Sequence, residues 1–74
     1  MSTEPELLRV TKERIGCEVM IESITQRLEE LMIDDRVESD QYIQARDKRR
    51  YLMKELLRLR LEEVELSFKR NASV

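Results

Sequence analysis

Histidine is absent from the sequence, and cysteine, glycine and proline occur once each. Without histidine, the chain lacks the side chain that most often performs acid–base catalysis near neutral pH. One cysteine cannot form an intrachain disulfide, and one thiol among scattered carboxylates does not make a zinc site. There is also no glycine-rich loop that could cradle a phosphate. We therefore expect no enzymatic activity, no metal and no cofactor.

Long apolar runs are also missing. They do not exceed three residues, as at 19–21 and 31–33, whereas a membrane-spanning helix needs about 20. Residues 1–10 are acidic and have no apolar core, so we expect no signal peptide. A chain that is not exported and has one free cysteine suits a reducing compartment, which predicts a cytoplasmic protein.

The residues that are present fall mostly into two classes, 41% charged and 41% hydrophobic. This composition, rich in leucine, glutamate, arginine and lysine, is typical of long helices and coiled coils. A chain of 74 residues is short for a domain, so one structural unit is expected over 1–74. So short a chain buries little of its surface and usually needs a disulfide, a metal or association to be robust. Association is the route left open here.

The first helix is predicted over about 4–34, beginning at TEPE, where Thr3 and Glu6 can form a capping box. Apolar residues then recur at alternating spacings of three and four, interrupted only by Arg14. This spacing indicates a coiled-coil seam, and its apolar members are Leu7, Val10, Cys17, Ile21, Ile24, Leu28 and Leu31. Cys17 is accordingly expected to be a buried, inert thiol.

The seam register is lost at DDRVESD, residues 34–40. The charge also changes sign there: residues up to Glu38 carry five basic and ten acidic groups, and the rest of the chain carries nine basic and six acidic groups. We therefore predict a turn over about 35–39 and a second helix over about 40–70, capped by Ser39 or Asp40. One continuous helix is the alternative, because the segment contains neither glycine nor proline.

The second helix carries two adjacent apolar stripes. The first stripe consists of Leu52, Leu56, Leu59 and Leu66, and the second stripe consists of Met53, Leu57, Leu61, Val64 and Phe68. At about 100° per residue the two span roughly 220°, twice what a helix packed on one partner needs. The first stripe follows the tidier three–four spacing, so we expect it to join the seam of the first helix. The second stripe is then an interface with a second molecule.

The first helix has a fainter apolar row on the face roughly opposite its seam, which we call the α1 outer row: Leu8, Ile15, Val19 and Ile33. Apolar patches left in water favour association. We therefore predict an all-α, antiparallel two-helix coiled-coil hairpin, completed as a four-helix bundle by dimerisation or by a partner protein.

A basic segment, RDKRR at 46–50, continues into the second helix. The side chains that could contact an acidic partner or nucleic-acid phosphates are Arg46, Lys48, Arg49, Arg50 and Lys54. On a helical wheel these residues scatter, the isoelectric point is about 5.2, and few aromatic side chains are available to stack on bases. Solvation, or pairing with the acidic first helix, is the favoured interpretation.

The size and the hairpin architecture resemble those of the small co-chaperones of bacterial type III secretion, whose hairpins bind a larger helical partner.

The sequence-based prediction is a non-enzymatic protein-interaction module that forms a homodimer through the second stripe. One alternative is a small co-chaperone or adaptor whose second stripe is covered by another protein. A nucleic-acid-binding regulator using residues 46–60 is the other.

Overall fold

Two helices account for nearly all of residues 4–72, the part of the chain that the computed structural model describes. The helix α1 spans Glu4–Ile33 and the helix α2 spans Asp40–Ala72. They pack against each other and the described residues form no strand, which confirms the predicted all-α hairpin and excludes one continuous helix. α1 ends one residue before, and α2 two residues after, the predicted boundaries. The capping role predicted for Thr3 lies outside the described residues.

Cross-helix contacts show that the helices run antiparallel. Arg70 Nη1 lies 3.4 Å from Glu4 Oε1. Thr11 Oγ1 donates to Glu63 Oε2 over 2.9 Å, and Arg49 Nε donates to Thr25 Oγ1 over 2.8 Å. The resulting rod has extents of 55 × 14 × 13 Å and a radius of gyration of 16.6 Å. A globular chain of this length would have a radius of gyration of about 11 Å, so the molecule is long and has a thin core.

The turn between the helices begins with a Schellman motif. The backbone N–H of Arg36 donates to the carbonyl of Leu31 over 2.8 Å, and that of Asp35 donates to Met32 over 3.1 Å. The motif requires a left-handed residue at the position after the helix cap, and Asp35 has φ 58°. Glycine usually fills this position, because a Cβ atom disfavours the left-handed region. The sequence located the turn but not its Schellman geometry, because no glycine marks the left-handed position.

Ser39 caps the start of α2. Its Oγ accepts a hydrogen bond from the backbone N–H of Tyr42 over 3.2 Å and donates one to the carbonyl of Arg36 over 2.7 Å. The first contact satisfies one of the free N–H groups of the first helical turn, and the second ties the cap to the preceding turn. Of the two predicted candidates, Ser39 is the cap, and Asp40 is the first helical residue.

The core is a single line of side chains between the helices. Its buried cluster consists of Val10, Cys17, Leu52, Leu59 and Leu66, with Leu7, Ile21, Ile24 and Leu56 packed at its margins. Leu31 is also buried, and Leu28 is half-buried. Nine of the eleven residues predicted for the seam and for the first stripe therefore lie in this cluster or pack against it. This core is one layer thick, since each helix buries only one face.

Gly16 lies in the middle of α1 on an exposed face. A Cβ atom built at this position would meet nothing within 4 Å. Close passage of a neighbouring helix is therefore not the reason for glycine here within this chain. The residue weakens the helix by about 1 kcal/mol relative to alanine without a packing benefit inside the hairpin.

Candidate interaction surface

The second stripe of α2 is exposed along its whole length. The exposed fraction ranges from 46% at Met53 to 71% at Phe68, and the other members are Leu57, Leu61 and Val64. Shallow hollows lie at each end, one between Val64 and Phe68 and one beside Met53 and Leu57. Because the first stripe already occupies the contact with α1, no part of residues 4–72 covers the second stripe.

The α1 outer row is also uncovered, and Ile33 is its most exposed member at 83%. Its position relative to the second stripe follows from the ion pair Glu18–Arg60, which joins the helices at 3.2 Å. At about 100° per residue, Ile15 and Val19 lie 60° and 100° from Glu18 around the axis of α1. Leu57 and Leu61 lie 60° and 100° from Arg60 around the axis of α2, in the same direction of rotation. Antiparallel helices are related by a local two-fold axis perpendicular to their common plane. The two rows therefore lie on opposite edges and tilt toward the same side.

Between the two rows runs a ladder of paired polar side chains. Arg14 Nε donates to Glu63 Oε2 over 2.9 Å, and Arg14 Nη1 donates to Glu18 Oε1 over 3.0 Å. Arg60 holds the other side of Glu18, and Thr11 donates to Glu63. No buried side-chain nitrogen or oxygen in residues 4–72 lacks a hydrogen-bond partner. Each charged member of the ladder thus has a partner of opposite charge within the same chain.

The ladder changes the proton affinities of its members. Hydrogen bonds from Arg14 and then Thr11 lower the pKa of Glu63 below its usual value. Hydrogen bonds from Arg60 and Arg14 lower the pKa of Glu18. In each case the neighbouring donors favour the charged carboxylate. Both groups are structural anions, because a general acid near neutral pH would need its pKa shifted the other way.

Cys17 lies in the core and faces α2. Its Sγ donates to the backbone carbonyl of Leu52 over 3.1 Å, and burial raises the pKa of the thiol. A reactive cysteine needs a lowered pKa and solvent access. The environment therefore suits a packed thiol and gives no support to a nucleophile.

The basic candidates are divided between two sides of α2. Arg46, Arg49, Arg50 and Lys54 line one shallow surface next to Met53 and Leu57. Lys48 instead lines a groove on the other side with Ile24 and Gln44. The helical wheel predicts that these five residues scatter. In the structure, sequence spacings of three and four residues bring four of them together on one side of the helix. Two are engaged within the chain, Arg49 by Thr25 and Arg46 by Asp47 at 3.4 Å.

Among residues 4–72, histidine, cysteine and acidic side chains form no group of three or more that could hold a metal ion. The hollows described above are shallow and lined mainly by aliphatic carbon.

Glu63 is the cross-helix partner of Arg14, and the predicted seam does not include it. The spacing in α1 indicates Arg14 only as a break in the seam. The signal was present, since Glu63 lies between Leu59 and Leu66 at the same three–four spacing as the first stripe. A charged residue in each seam, of opposite sign and at matching levels, indicates a cross-helix pair.

Comparison with known proteins finds no matching family model, no matching curated protein and no matching solved structure. Over residues 4–72, neither helix combines the length and the apolar character that crossing a membrane requires.

Proposed function

We propose that this protein is a non-enzymatic interaction module that forms a homodimer through the second stripe of α2. The observation that carries the proposal is the row of five apolar side chains, each at least 46% exposed, on a helix whose other apolar stripe is already packed. Isolated exposed apolar residues are ordinary, but a continuous row is typical of a contact surface.

Burial of the second stripe would contribute favourably to association. Fully burying a leucine, valine or phenylalanine side chain contributes about 1.5–3 kcal/mol. Covering the exposed half of five such side chains would contribute on the order of 5 kcal/mol per copy before the cost of association. A second copy supplies the same energy again, and symmetric dimers are the commonest oligomers.

Two substitutions in the centre of the second stripe test the proposal. Leu57→Glu with Leu61→Glu places two charges at the apolar surface and should convert a dimer into a monomer of 8.9 kDa. Helical content should largely remain, because both side chains are more than 60% exposed in the hairpin. Sedimentation equilibrium gives the mass, and circular dichroism gives the helicity.

The matched control adds the same charge on the other side of the seam. Met20 and Tyr51 are exposed apolar residues that line a groove with Gly16 and Leu59. The pair Met20→Glu and Tyr51→Glu should leave the dimer intact. A wild-type protein that stays monomeric at about 100 µM would contradict homodimerisation and would favour the adaptor alternative. A Leu57/Leu61 variant that keeps the wild-type mass would place the interface elsewhere.

A further inference from the structure

Positions along the rod identify the face of the second copy that meets the second stripe. Residues of α1 and α2 that lie directly across from each other are said to be at the same level. Thr25 lies opposite Arg49, and Thr11 lies opposite Glu63. Counting along the helices from these contacts, Leu8, Ile15 and Val19 lie at the levels of residues 66, 59 and 55 of α2. The apolar part of the α1 outer row therefore occupies the same levels as the second stripe, at the end of the rod away from the turn.

On both helices, exposed charged residues lie next to the apolar residues of the outward face, on the side toward the turn. Beyond Val19, the outward face of α1 carries Glu22, which lies at the level of residue 52 of α2. Before Leu57, the outward face of α2 carries Arg50 and Lys54, which bracket that level. All three charged residues are exposed, and among residues 4–72 none of them forms an ion pair. The hairpin thus pairs its inner charges and leaves these outer charges for another contact.

We infer that the α1 outer row of a second copy covers the second stripe, in a dimer whose two-fold axis runs parallel to the helices. This inference deepens the proposed function and rests on it. An axis in that direction leaves levels along the rod unchanged and places α1 of one copy antiparallel to α2 of the other. Leu8 and Ile15 then meet Leu61, Val64 and Phe68 of the second copy.

The same two-fold axis also brings the exposed charged residues, and the apolar residues near the turn, of the two copies together. Glu22 of one copy lies between Arg50 and Lys54 of the other, and Ile33 lies near Ile43, another exposed apolar residue at the turn end of α2. Because both rows tilt toward the same side of the hairpin, one partner copy on that side can contact the near side of both, so the contact occurs twice. The ladder between the rows needs no partner from the second copy, since its groups are already paired within each chain.

Contact between the second stripes of two copies fits less well. Side by side in parallel, Arg50 and Lys54 would face their own equivalents, and like charges repel. In an antiparallel arrangement the second stripes could match, but the α1 outer row would stay uncovered. Only the contact between α1 and α2 of different copies covers both apolar rows and pairs the charges.

Mixing two variants distinguishes these arrangements. One variant carries Ile15→Glu and Val19→Glu on α1, and the other carries Leu57→Lys and Leu61→Lys on α2. Each alone should be monomeric, because every contact in its homodimer would set charged side chains against apolar ones. Mixed together they should form a 1:1 heterodimer, with one intact contact and one contact of opposite charges. Native mass spectrometry and sedimentation report both states.

A second pair of variants changes only exposed charges, so loss of folding does not obscure it. Glu22→Lys and Arg50→Glu should each weaken dimerisation roughly fivefold, and the double variant should regain most of the wild-type affinity. An α1 variant that still forms a homodimer, a variant mixture that stays monomeric, or a double charge variant weaker than both single ones would overturn the inference. The proposed function would survive each of these results if Leu57→Glu with Leu61→Glu still abolishes wild-type dimerisation.

Discussion

Arg14 and Glu63 show how single residues define the alignment of the two helices. A purely leucine seam can slide by a heptad, because each layer resembles the next. The 2.9 Å contact between Arg14 and Glu63 forms in one alignment only. Sliding the helices would leave a half-buried charge without its partner, which is costly. These two residues therefore contribute to specificity more than to the size of the core.

The ladder predicts a pH dependence of stability. Because Glu63 has a lowered pKa in the folded protein, the unfolded chain binds more protons in acid, and stability falls as the pH falls. The contribution is fully present above the usual glutamate pKa of about 4.3 and is lost as the pH drops through the lower folded-state value. Glu63→Gln should therefore show a smaller loss of Tm between pH 7 and pH 3 than the wild type.

The control for this prediction is Glu29→Gln, which removes an exposed carboxylate that forms no ion pair among residues 4–72. Its Tm should change with pH as the wild-type Tm does. An acid loss in Glu63→Gln as large as that of the wild type would show that the contacts of Glu63 do not stabilise the fold.

Asp35 offers a stabilising substitution. Its φ of 58° is a conformation that glycine adopts without a steric cost. Asp35→Gly should raise the free energy of unfolding by about 1 kcal/mol, and it also removes a negative charge from the C-terminus of α1. Urea unfolding measures the change. The same substitution at Asp34, which has no positive φ, should give no gain; equal effects at both positions would contradict the role assigned to the Schellman turn.

At the scale of the helix, α2 shows how adjacent apolar stripes come to differ in role. Leu59 is 4% exposed in the first stripe, and Leu61, two residues later, is 64% exposed in the second. The side chains are identical and the backbone is helical at both positions. The difference arises from the direction in which each side chain leaves the helix, about 200° apart.

These two leucines form a matched pair for measurement. Leu59→Ala removes packed carbon from the core and should lower the free energy of unfolding by about 2–5 kcal/mol. Leu61→Ala should change the stability of the monomer by less than about 0.5 kcal/mol. Urea unfolding at a concentration where the chain is monomeric separates folding from association. Equal losses would show that the first stripe is not the core of the hairpin.

The whole molecule is a thin rod, and its stability and its surfaces are linked. With one layer of buried side chains, the hairpin has a much smaller core than a globular domain, which makes a small unit marginal. A second layer would form when two hairpins cover each other's apolar rows. A rod with so thin a core therefore gains stability by association, which is consistent with the homodimer that we propose.

Much of this architecture could be predicted from the sequence. The three–four spacing from Leu7 to Leu31 and from Leu52 to Leu66 requires helices with one apolar face each, because no other regular structure has that period. The break at 34–40 and the change of charge sign located the turn. The surplus of apolar residues on α2 could also be counted, since it depends only on the angle between successive residues.

The three–four spacing favours the first stripe as the one that faces α1, but the tertiary structure decided it. Both stripes are apolar and neighbouring, so hydrophobic energy alone barely separates them. Packing against α1 requires the alignment in which Glu63 reaches Arg14 and Thr11, and that alignment turns Leu59 and Leu66 inward. The tertiary structure also placed four basic residues on one side of α2, namely Arg46, Arg49, Arg50 and Lys54. It tilted the α1 outer row and the second stripe toward the same side of the hairpin. These are relations between two helices, and the periodicity of one helix does not contain them.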